Sequence, residues 1–327
     1  MTAKTILVTG GAGYIGSHAC KALAKAGYQP VVYDNLYRGH RDFVKWGPFE
    51  EGDVGDRKRL DAVIARHKPS AVMHFAALAL VGESTATPLP YYSTNVGCTT
   101  TLTAALCEAG INKLIFSGTC AVYGLPDVTP ITEEAPLAPV NPYGRSKLMA
   151  EGVLADAHAA HGLSHVTLRY FNAAGADPDG EIGEKHDPET HIIPNILKVA
   201  AGDSSAVTLN GDDYATPDGT CIRDYVHVTD IAHAHVKALQ YLDDTPGAHV
   251  FNLGTGTGFS VRQVIETARQ ITKKDIPIRI GPRREGDPAT LVADASRILN
   301  TCGWAPNRSS LEVQIADAWA WHQKNGF

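Results

Sequence analysis

The sequence predicts an α/β fold, a doubly wound parallel sheet covered by helices on both faces. Continuous β-favouring runs occupy residues 5–9, 31–34, 71–77, 113–118 and 165–171. Segments with helical periodicity lie between these runs. Strands buried on both faces have apolar side chains on both sides, so this alternation predicts a parallel sheet with helices as crossovers.

The individual elements follow from local patterns in chain order. The first strand, TILVT, precedes a glycine-rich turn and the helical segment 17–27. Further helices are predicted over 57–67, 99–110 and 143–162, each between two of the apolar runs. A chain of 327 residues, 44% of them apolar, is long enough to bury the core that such a sheet requires.

The second half of the chain has a different texture. Residues 172–191 are rich in Gly, Pro and acidic side chains and are interpreted as a long functional loop. We therefore expect a dinucleotide-binding domain over 1–172 and a smaller α/β substrate-binding domain over 173–327. Segments around 220–255 can return to the first domain.

Charge and cysteine content narrow the class of protein. The formal net charge of −6 gives no basic surface for nucleic acid or anionic membrane, and no apolar run approaches the length of a membrane helix. The N-terminus has no signal-peptide pattern. The six cysteines are scattered without a C-x-x-C pair, which is typical of reduced thiols in a cytoplasmic protein.

TILVTGGAGYIGSH is the first functional motif. Its glycines allow a tight turn between strand and helix, and they place a pyrophosphate at the helix N-terminus. Asp34 ends the next strand at the spacing of a ribose-binding carboxylate, which favours NAD over NADP, although Arg38 leaves that preference open. These residues predict a Rossmann-type NAD site that comprises Gly10, Gly13, Tyr14, Ile15, Gly16, Asp34 and Asn35.

NPYGRSKLMAE supplies a second motif. Tyr143 and Lys147 share one helix face, and a nearby ammonium with an oxidised nicotinamide can lower the pKa of a tyrosine toward neutrality. Alone, the pair is better explained as part of an ordinary surface helix, where this spacing often occurs by chance. FSGTCAVYG adds Thr119 at the carboxyl edge of the sheet, where such folds bind ligands, so we predict a catalytic group of Tyr143, Lys147 and Thr119.

The ordered motifs resemble those of UDP-glucose (UDP-galactose) 4-epimerases, extended short-chain dehydrogenase/reductases. The resemblance runs from residue 5 to beyond residue 290. It rests on VTGGAGYIGSH, HFAALALVGES, FSGTCAVYG, NPYGRSKLMAE, RYFNAAGADPDG, DGTCIRDYVHV, NLGTGTG and RREGD.

The resemblance implies reversible hydride transfer between the sugar C4 and tightly held NAD, with Tyr143 as base, Thr119 on the 4-oxygen and Lys147 on the nicotinamide ribose. It implies a homodimer through the helices at 89–109 and 142–161. It assigns to the cofactor Asp53, Val54, Phe75, Ala76, Asn95 and Tyr170. It assigns to the UDP-sugar Asn172, His191, Arg223, Arg284, Asp287 and Leu291.

Several positions depart from the family pattern. Ala79 stands where many members have a lysine near the cofactor, and Gly118 stands where serine is common. Asn210 replaces the aromatic residue that commonly stacks on uracil, and His191 replaces an asparagine. Leu291, of intermediate size, leaves the acceptance of N-acetylated sugars open.

Three other functions and a metal site are alternatives to the epimerase interpretation. A sugar-nucleotide dehydratase needs a carboxylate directly after Thr119, where this chain has Cys120. A UDP-xylose/UDP-arabinose 4-epimerase uses the same C4 chemistry and stays open. A non-catalytic NAD sensor would not need all three catalytic side chains. For His186, Asp187, Glu189 and His191 the spacing lacks the pattern of H-E-x-x-H, so no metal is predicted.

Overall fold

The computed structural model describes residues 3–284 and 286–326. Its main feature is a sheet of seven parallel strands in the order β3-β2-β1-β4-β5-β6-β10. These strands are β1 Thr5–Thr9, β2 Gln29–Asp34, β3 Phe49–Glu51, β4 Ala71–His74, β5 Lys113–Ser117, β6 Ser164–Tyr170 and β10 Ala248–Leu253. The predicted α/β fold class is confirmed.

Helices cover both faces of this sheet. One layer contains α1 Tyr14–Lys25 and α8 Val228–Asp244, and the other contains α2 Arg57–His67, α5 Thr99–Ala109 and α6 Pro142–His161. Along β1 the side chains of Ile6 and Val8 enter the core beneath the first layer, and Leu7 enters the core beneath the second. This two-sided burial explains why the strands read as continuous apolar runs.

Short helices precede α5. They are α3 Val81–Ala86, α4 Pro88–Tyr91 and a π-helix, Tyr92–Cys98, that continues directly into α5. Two 3-10 helices, Arg41–Phe43 and Cys120–Tyr123, lie after β2 and β5.

The second half of the chain builds a smaller layer beside the carboxyl edge of the large sheet. Its strands are β7 Asn172–Ala174, β8 Val207–Asn210, β9 Ile222–His227, β11 Gly258–Ser260, β12 Ile278–Gly281 and β13 Thr290–Leu291. Its helices are α7 Ile192–Ala201, α9 Val261–Thr272, α10 Ser296–Cys302 and α11 Leu311–Asn325. Strand β9 pairs with β7, β11 and β13, and β8 pairs with β12.

The chain crosses between the two layers more than once. After β9, helix α8 packs on α1, and β10 pairs with β6 at the edge of the large sheet. The division at residue 172, with residues 228–253 lying against the first half, remains our proposed domain organisation. Within the described residues no helix combines the length and apolarity needed to cross a membrane.

An ion-pair cluster at the far edge of the sheet gives the first prediction. Glu50 on β3 accepts hydrogen bonds from Arg59 Nη2 at 2.6 Å, Arg66 Nη1 at 2.8 Å and His67 Nε2 at 2.7 Å. Burial opposes ionisation of this carboxyl, but His67 and the two arginines outweigh burial and lower its pKa from 4.5 to about 2. We expect Glu50→Gln to lower the free energy of unfolding at pH 7 by about 2 kcal/mol.

The pH dependence tests the cause of that loss. The folded-state pKa lies below the unfolded value, so the stabilisation is present above about pH 4.5 and is lost as the pH falls toward 2. Urea unfolding at pH 7 and pH 3 should therefore show a smaller difference between the variant and the parent at pH 3. Glu51→Gln, the exposed neighbour, is the matched control; an equal loss there would contradict the prediction.

Candidate active site

A cavity of about 1550 Å³ lies at the carboxyl edge of the large sheet. The chain segments that follow β1, β4, β5 and β6 line one side of it, and β9 and the segment before β13 line the other. In the strand order, neighbours change direction between β1 and β4, and in open α/β sheets that switch point is where ligands bind.

The glycine turn forms one wall of the cavity and leaves no room for side chains. A Cβ on Gly16 would lie 2.1 Å from Gly10 O, and a Cβ on Gly10 would lie 2.5 Å from Ala76 N. Gly13 caps the N-terminus of α1 without a side-chain hydrogen bond, and the first turn contains no acidic residue. The helix dipole and its free N–H groups therefore face the cavity, an arrangement suited to a pyrophosphate.

Acidic and amide side chains lie beyond the glycine turn. Asp34 Oδ2 accepts from Ala12 N at 3.0 Å, and its Oδ1 accepts from Leu36 N at 2.8 Å. Asn35 Nδ2 donates to Asp53 Oδ2 at 2.7 Å, and Asp53 together with Val54 lines the cavity. Both oxygens of Asp34 are thus fixed by backbone donors, and the residue lines the cavity.

Helix α6 starts at the cavity because of its cap. Asn141 Oδ1 accepts from Gly144 N at 2.8 Å, and Pro142 occupies the first helical position, where its missing N–H costs nothing. This start places Tyr143 in the first turn and Lys147 one turn later, both on the cavity wall.

Burial governs both ionisable groups of the pair. It raises the pKa of Tyr143 to about 12, with the Thr119 hydroxyl acting in the opposite direction. Burial also lowers the pKa of Lys147 to about 7, although Glu151 opposes it. The Lys147 ammonium lies 4.2 Å from the centre of the Phe116 ring. In the ligand-free protein, burial therefore keeps Tyr143 a neutral phenol near pH 7. The lowering of its pKa by Lys147 together with an oxidised nicotinamide stays a prediction.

Thr119 and its neighbours occupy the end of β5. The Thr119 side chain is buried, and its Oγ1 accepts from Ala121 N at 3.1 Å. Ser117 Oγ and Tyr170 OH are hydrogen-bonded to each other at the cavity wall. A Cβ at Gly118 would lie 2.8 Å from Leu168 O, so a side chain at this position would require the backbone to shift.

The opposite wall carries a buried arginine. Arg223 Nη2 donates to Asp287 Oδ1 at 2.5 Å, and Leu291 lies opposite Arg223 in the register of β13 with β9. Among the described residues, Arg223 forms its ion pair with Asp287 and not with the adjacent Asp224. Asp224 instead accepts hydrogen bonds from the backbone of Thr255, Gly256 and Ala293.

A second arginine, Arg284, also lines the cavity. When the Asn210 amide is oriented with its oxygen toward Arg284, this oxygen accepts from Arg284 Nη2 at 3.3 Å and from Nε at 3.2 Å. Asn210 therefore orients a guanidinium, a task that differs from the stacking expected of an aromatic residue at this position.

Comparison with known proteins agrees with this geometry. A family model described as the NAD dependent epimerase/dehydratase family matches residues 6–254. The chain belongs to the NAD dependent epimerase/dehydratase family. A UDP-glucose 4-epimerase of Rhizobium leguminosarum bv. trifolii is 50% identical over 325 residues, covering 99% of each chain.

Solved structures of UDP-glucose 4-epimerases also match this chain over almost its whole length. UDP-glucose 4-epimerase from Brucella ovis in complex with NAD is 50% identical, with a TM-score of 0.95 over 97% of this chain and 98% of that one. UDP-glucose-4-epimerase from Stenotrophomonas maltophila with NAD and formylated UDP-arabinopyranose is 42% identical, with a TM-score of 0.95 over 98% of each chain. The resemblance to UDP-glucose 4-epimerases drawn from the sequence is confirmed.

With one exception, the structure places every residue that the epimerase motifs nominate on this one cavity. The exception is Asn95, in the π-helix, which is 1% exposed. Its amide bonds the backbone N and O of Leu78 at 2.8 and 3.0 Å and Ser146 Oγ at 2.9 Å. Asn95 thus lies behind the wall and fixes the segment after β4 to α6.

Ser117 and Asn141 are among the cavity residues that the sequence did not predict. Ser117, bonded to Tyr170, ends β5 in a motif from which only Thr119 was selected. Asn141 lines the cavity as the cap of α6, and the sequence Asn-Pro before a helical segment is the signal that could have identified it.

Proposed function

We propose that this chain is a 4-epimerase of UDP-sugars that interconverts UDP-glucose and UDP-galactose with tightly held NAD. One observation carries the proposal. A single cavity is lined by a side-chain-free glycine turn, by the Tyr143–Lys147–Thr119 group and by Arg223 paired with Asp287. A cavity with these three walls suits a dinucleotide and a nucleotide sugar that meet at Tyr143.

The cofactor half of the cavity fits NAD. The uncapped N-terminus of α1 binds the pyrophosphate, and Asp34 binds the adenosine ribose and repels a 2′-phosphate. Asp53 and Val54 border the adenine, and Phe75, Ala76 and Tyr170 enclose the nicotinamide end. Bound NAD would supply a reversible hydride acceptor for the sugar.

The protein residues manage the proton. With bound NAD as both acceptor and donor of the C4 hydride, Tyr143 would take the proton from the sugar 4-hydroxyl and return it to the 4-oxygen once the hydride is back on the opposite face of C4. Thr119 holds the 4-oxygen beside the phenol, and Lys147 binds the nicotinamide ribose. A buried phenol of raised pKa needs the positive charge of the oxidised cofactor to ionise, so the base is active only in the loaded enzyme.

The opposite wall holds the UDP moiety. Arg223 and Arg284 offer guanidinium donors to the diphosphate, and Asp287 accepts from the uridine ribose. Asn172 and His191 contribute polar contacts, and Leu291 borders the sugar. Since Arg223 is buried against Asp287, its guanidinium is preorganised and loses little freedom on binding.

Conversion without added cofactor tests this function. Purified protein is incubated separately with UDP-galactose and with UDP-arabinopyranose, and the 4-epimers are quantified by chromatography. Conversion of UDP-galactose supports the proposal. Faster conversion of the pentose would favour the UDP-xylose/UDP-arabinose alternative, consistent with the sugar nucleotide in the Stenotrophomonas maltophila structure. Absence of conversion even with NAD added would overturn both.

Ala79 provides a prediction about cofactor retention. It is exposed on the cavity wall, where many relatives of the motif carry lysine. We expect Ala79→Lys to tighten NAD binding about fivefold, the scale of a partly exposed ion pair. Calorimetric titration of NAD into cofactor-free protein measures this, and Ala79→Met, of similar length without charge, is the control. Equal tightening by both variants would contradict an electrostatic origin.

We further propose a cytoplasmic homodimer. All six cysteines are free thiols, which suits a reducing compartment. Leu89, 77% exposed at α4, and Met149, 50% exposed on α6, present apolar surface on the two helical segments expected at the interface. Light scattering with gel filtration tests this state, and a monomeric mass at micromolar concentration would contradict the dimer.

A further inference from the structure

A cluster of metal-ligating side chains lies on the cavity wall beside the glycine turn. One donor atom from each of Glu184, His186, Glu189 and His191 lies within 4.8 Å of all the others. The two imidazole rings are 5.3 Å apart, and the His186 ring packs edge-on against Tyr14 with centres 6.1 Å apart. The loop that follows β7 therefore folds two carboxylates and two imidazoles around one point.

Three of the four nitrogen–carboxylate spacings are close to those of a coordination shell, whereas His191 Nδ1 and Glu184 Oε1 are hydrogen-bonded to each other and would separate on binding a metal. His186 Nδ1 lies 3.3 Å from Glu184 Oε1 and 3.6 Å from Glu189 Oε2, and His191 Nδ1 lies 3.8 Å from Glu189 Oε1 and in close contact with Glu184 Oε1. Around a zinc ion with bonds of about 2.0–2.1 Å, tetrahedral ligands would lie roughly 3.3 Å apart.

One buried nitrogen supports this interpretation independently. His186 Nδ1 is inaccessible to solvent and makes no hydrogen bond of acceptable geometry, although it faces both carboxylates. Buried polar atoms are almost always hydrogen-bonded, whereas this nitrogen has only ion-pair contacts at 3.3 and 3.6 Å, and a cation between it and the two carboxylates would satisfy it.

The charge of the cluster is also compatible with a bound cation. The Glu184 and Glu189 side chains are only 4% and 3% exposed, and among the described residues their ion pairs are all with histidines. Two carboxylates buried side by side need positive charge. Two protonated imidazoles, or one divalent cation bound by neutral imidazoles, would neutralise both.

The neighbouring acidic cluster shows what a filled site looks like. Asp177, Asp179 and Glu181 surround the Lys21 ammonium, whose Nζ lies 2.7 Å from Asp177 Oδ2, 2.7 Å from Asp179 Oδ2 and 2.6 Å from Glu181 Oε2. A lysine already supplies the cation there, so that cluster serves as the internal control.

We propose that Glu184, His186, Glu189 and His191 bind one divalent first-row transition-metal ion of the Zn²⁺ class. Mixed imidazole and carboxylate donors suit such an ion. The metal cross-links the loop 184–191, of which His186 and His191 line the cavity. Binding through Nδ1 leaves Nε2–H of His191 as a hydrogen-bond donor, a consequence that rests on the proposed function because it needs an anionic nucleotide in the cavity.

Metal binding is measured directly, without nucleotide. Full-length protein freed of metal with a chelator is titrated with Zn²⁺ in a calorimeter, and with Co²⁺ while visible absorption is recorded. We expect one equivalent of each, with the visible bands of low-symmetry, four-coordinate cobalt. Glu184→Gln and, as the more exposed and structurally milder change, His191→Ala should each weaken Zn²⁺ binding at least about 100-fold.

Asp179→Asn, which removes one carboxylate from the Lys21 cluster, is the matched control and should leave Zn²⁺ binding unchanged. Substoichiometric Zn²⁺ binding by the parent, or equal binding by the parent and both site variants, would overturn the metal site. Epimerisation is assayed separately. A protein that binds zinc without epimerising would therefore contradict the proposed function alone, and an epimerase that binds no zinc would contradict the metal site alone.

Discussion

Replacing Tyr143 by phenylalanine should lower kcat for UDP-galactose epimerisation by about a thousandfold, the scale of a lost general base. The variant keeps the ring, which packs edge-on at 6.5 Å from Tyr91, and loses only the hydroxyl. Because burial raises the pKa of Tyr143 to about 12, the ligand-free protein holds the neutral phenol near pH 7, and its removal leaves no buried charge unpaired. The effect therefore falls on proton transfer.

Three measurements separate chemistry from folding and binding. NAD binding and KM for UDP-galactose should stay close to parental values, since the interactions that hold the two nucleotides come from other walls of the cavity. Tyr241→Phe is the control and should retain full kcat. The Tyr241 ring lies away from the cavity and packs on His249, with the ring centres 5.0 Å apart. A Tyr143→Phe protein with parental kcat would remove Tyr143 from its role as base.

Local signals predicted most of the large sheet. The run TILVT became β1 and residues 57–67 became α2 with the expected bounds, because burial on both faces and helical periodicity are properties of the segments themselves. The run 71–77 extended past β4, which ends at His74. Phe75 and Ala76 are apolar because they line the cavity. Composition alone does not distinguish a buried strand from an apolar segment that lines a cavity.

Some site residues could be predicted from local patterns and others could not. The glycine turn, Asp34, Thr119 and Tyr143 follow strand ends or helix starts, whose positions a strand–helix pattern already determines. From the sequence, His186 was grouped with Asp187 and not with Glu184, because an irregular loop has no period that says which side chains converge. The Arg223–Asp287 pair likewise depends on the register of β13 with β9.

A buried ion pair between β6 and α6 is the second interaction whose loss should have a large effect. Arg169 Nε donates to Glu151 Oε1 at 3.1 Å and Nη2 to Oε2 at 2.6 Å, with side chains 5% and 9% exposed. Nη1 also donates to Tyr123 OH at 3.1 Å. We expect Arg169→Met to lower the free energy of unfolding by about 3–5 kcal/mol, because the Glu151 carboxylate remains buried without its partner.

The double variant Arg169→Met/Glu151→Leu distinguishes that cause from lost packing. It removes both charges, so urea unfolding should show most of the stability restored, whereas a loss due to packing would persist. Arg57→Met, which breaks pairs with Asp61 and Glu108 on the surface, should cost less than about 1 kcal/mol. If Arg57→Met and Arg169→Met cost the same, the buried charge is not what holds α6 to the sheet. Since Glu151 opposes the burial-induced fall in the pKa of Lys147, the double variant should also lower that pKa further, which connects this structural pair to the catalytic helix face.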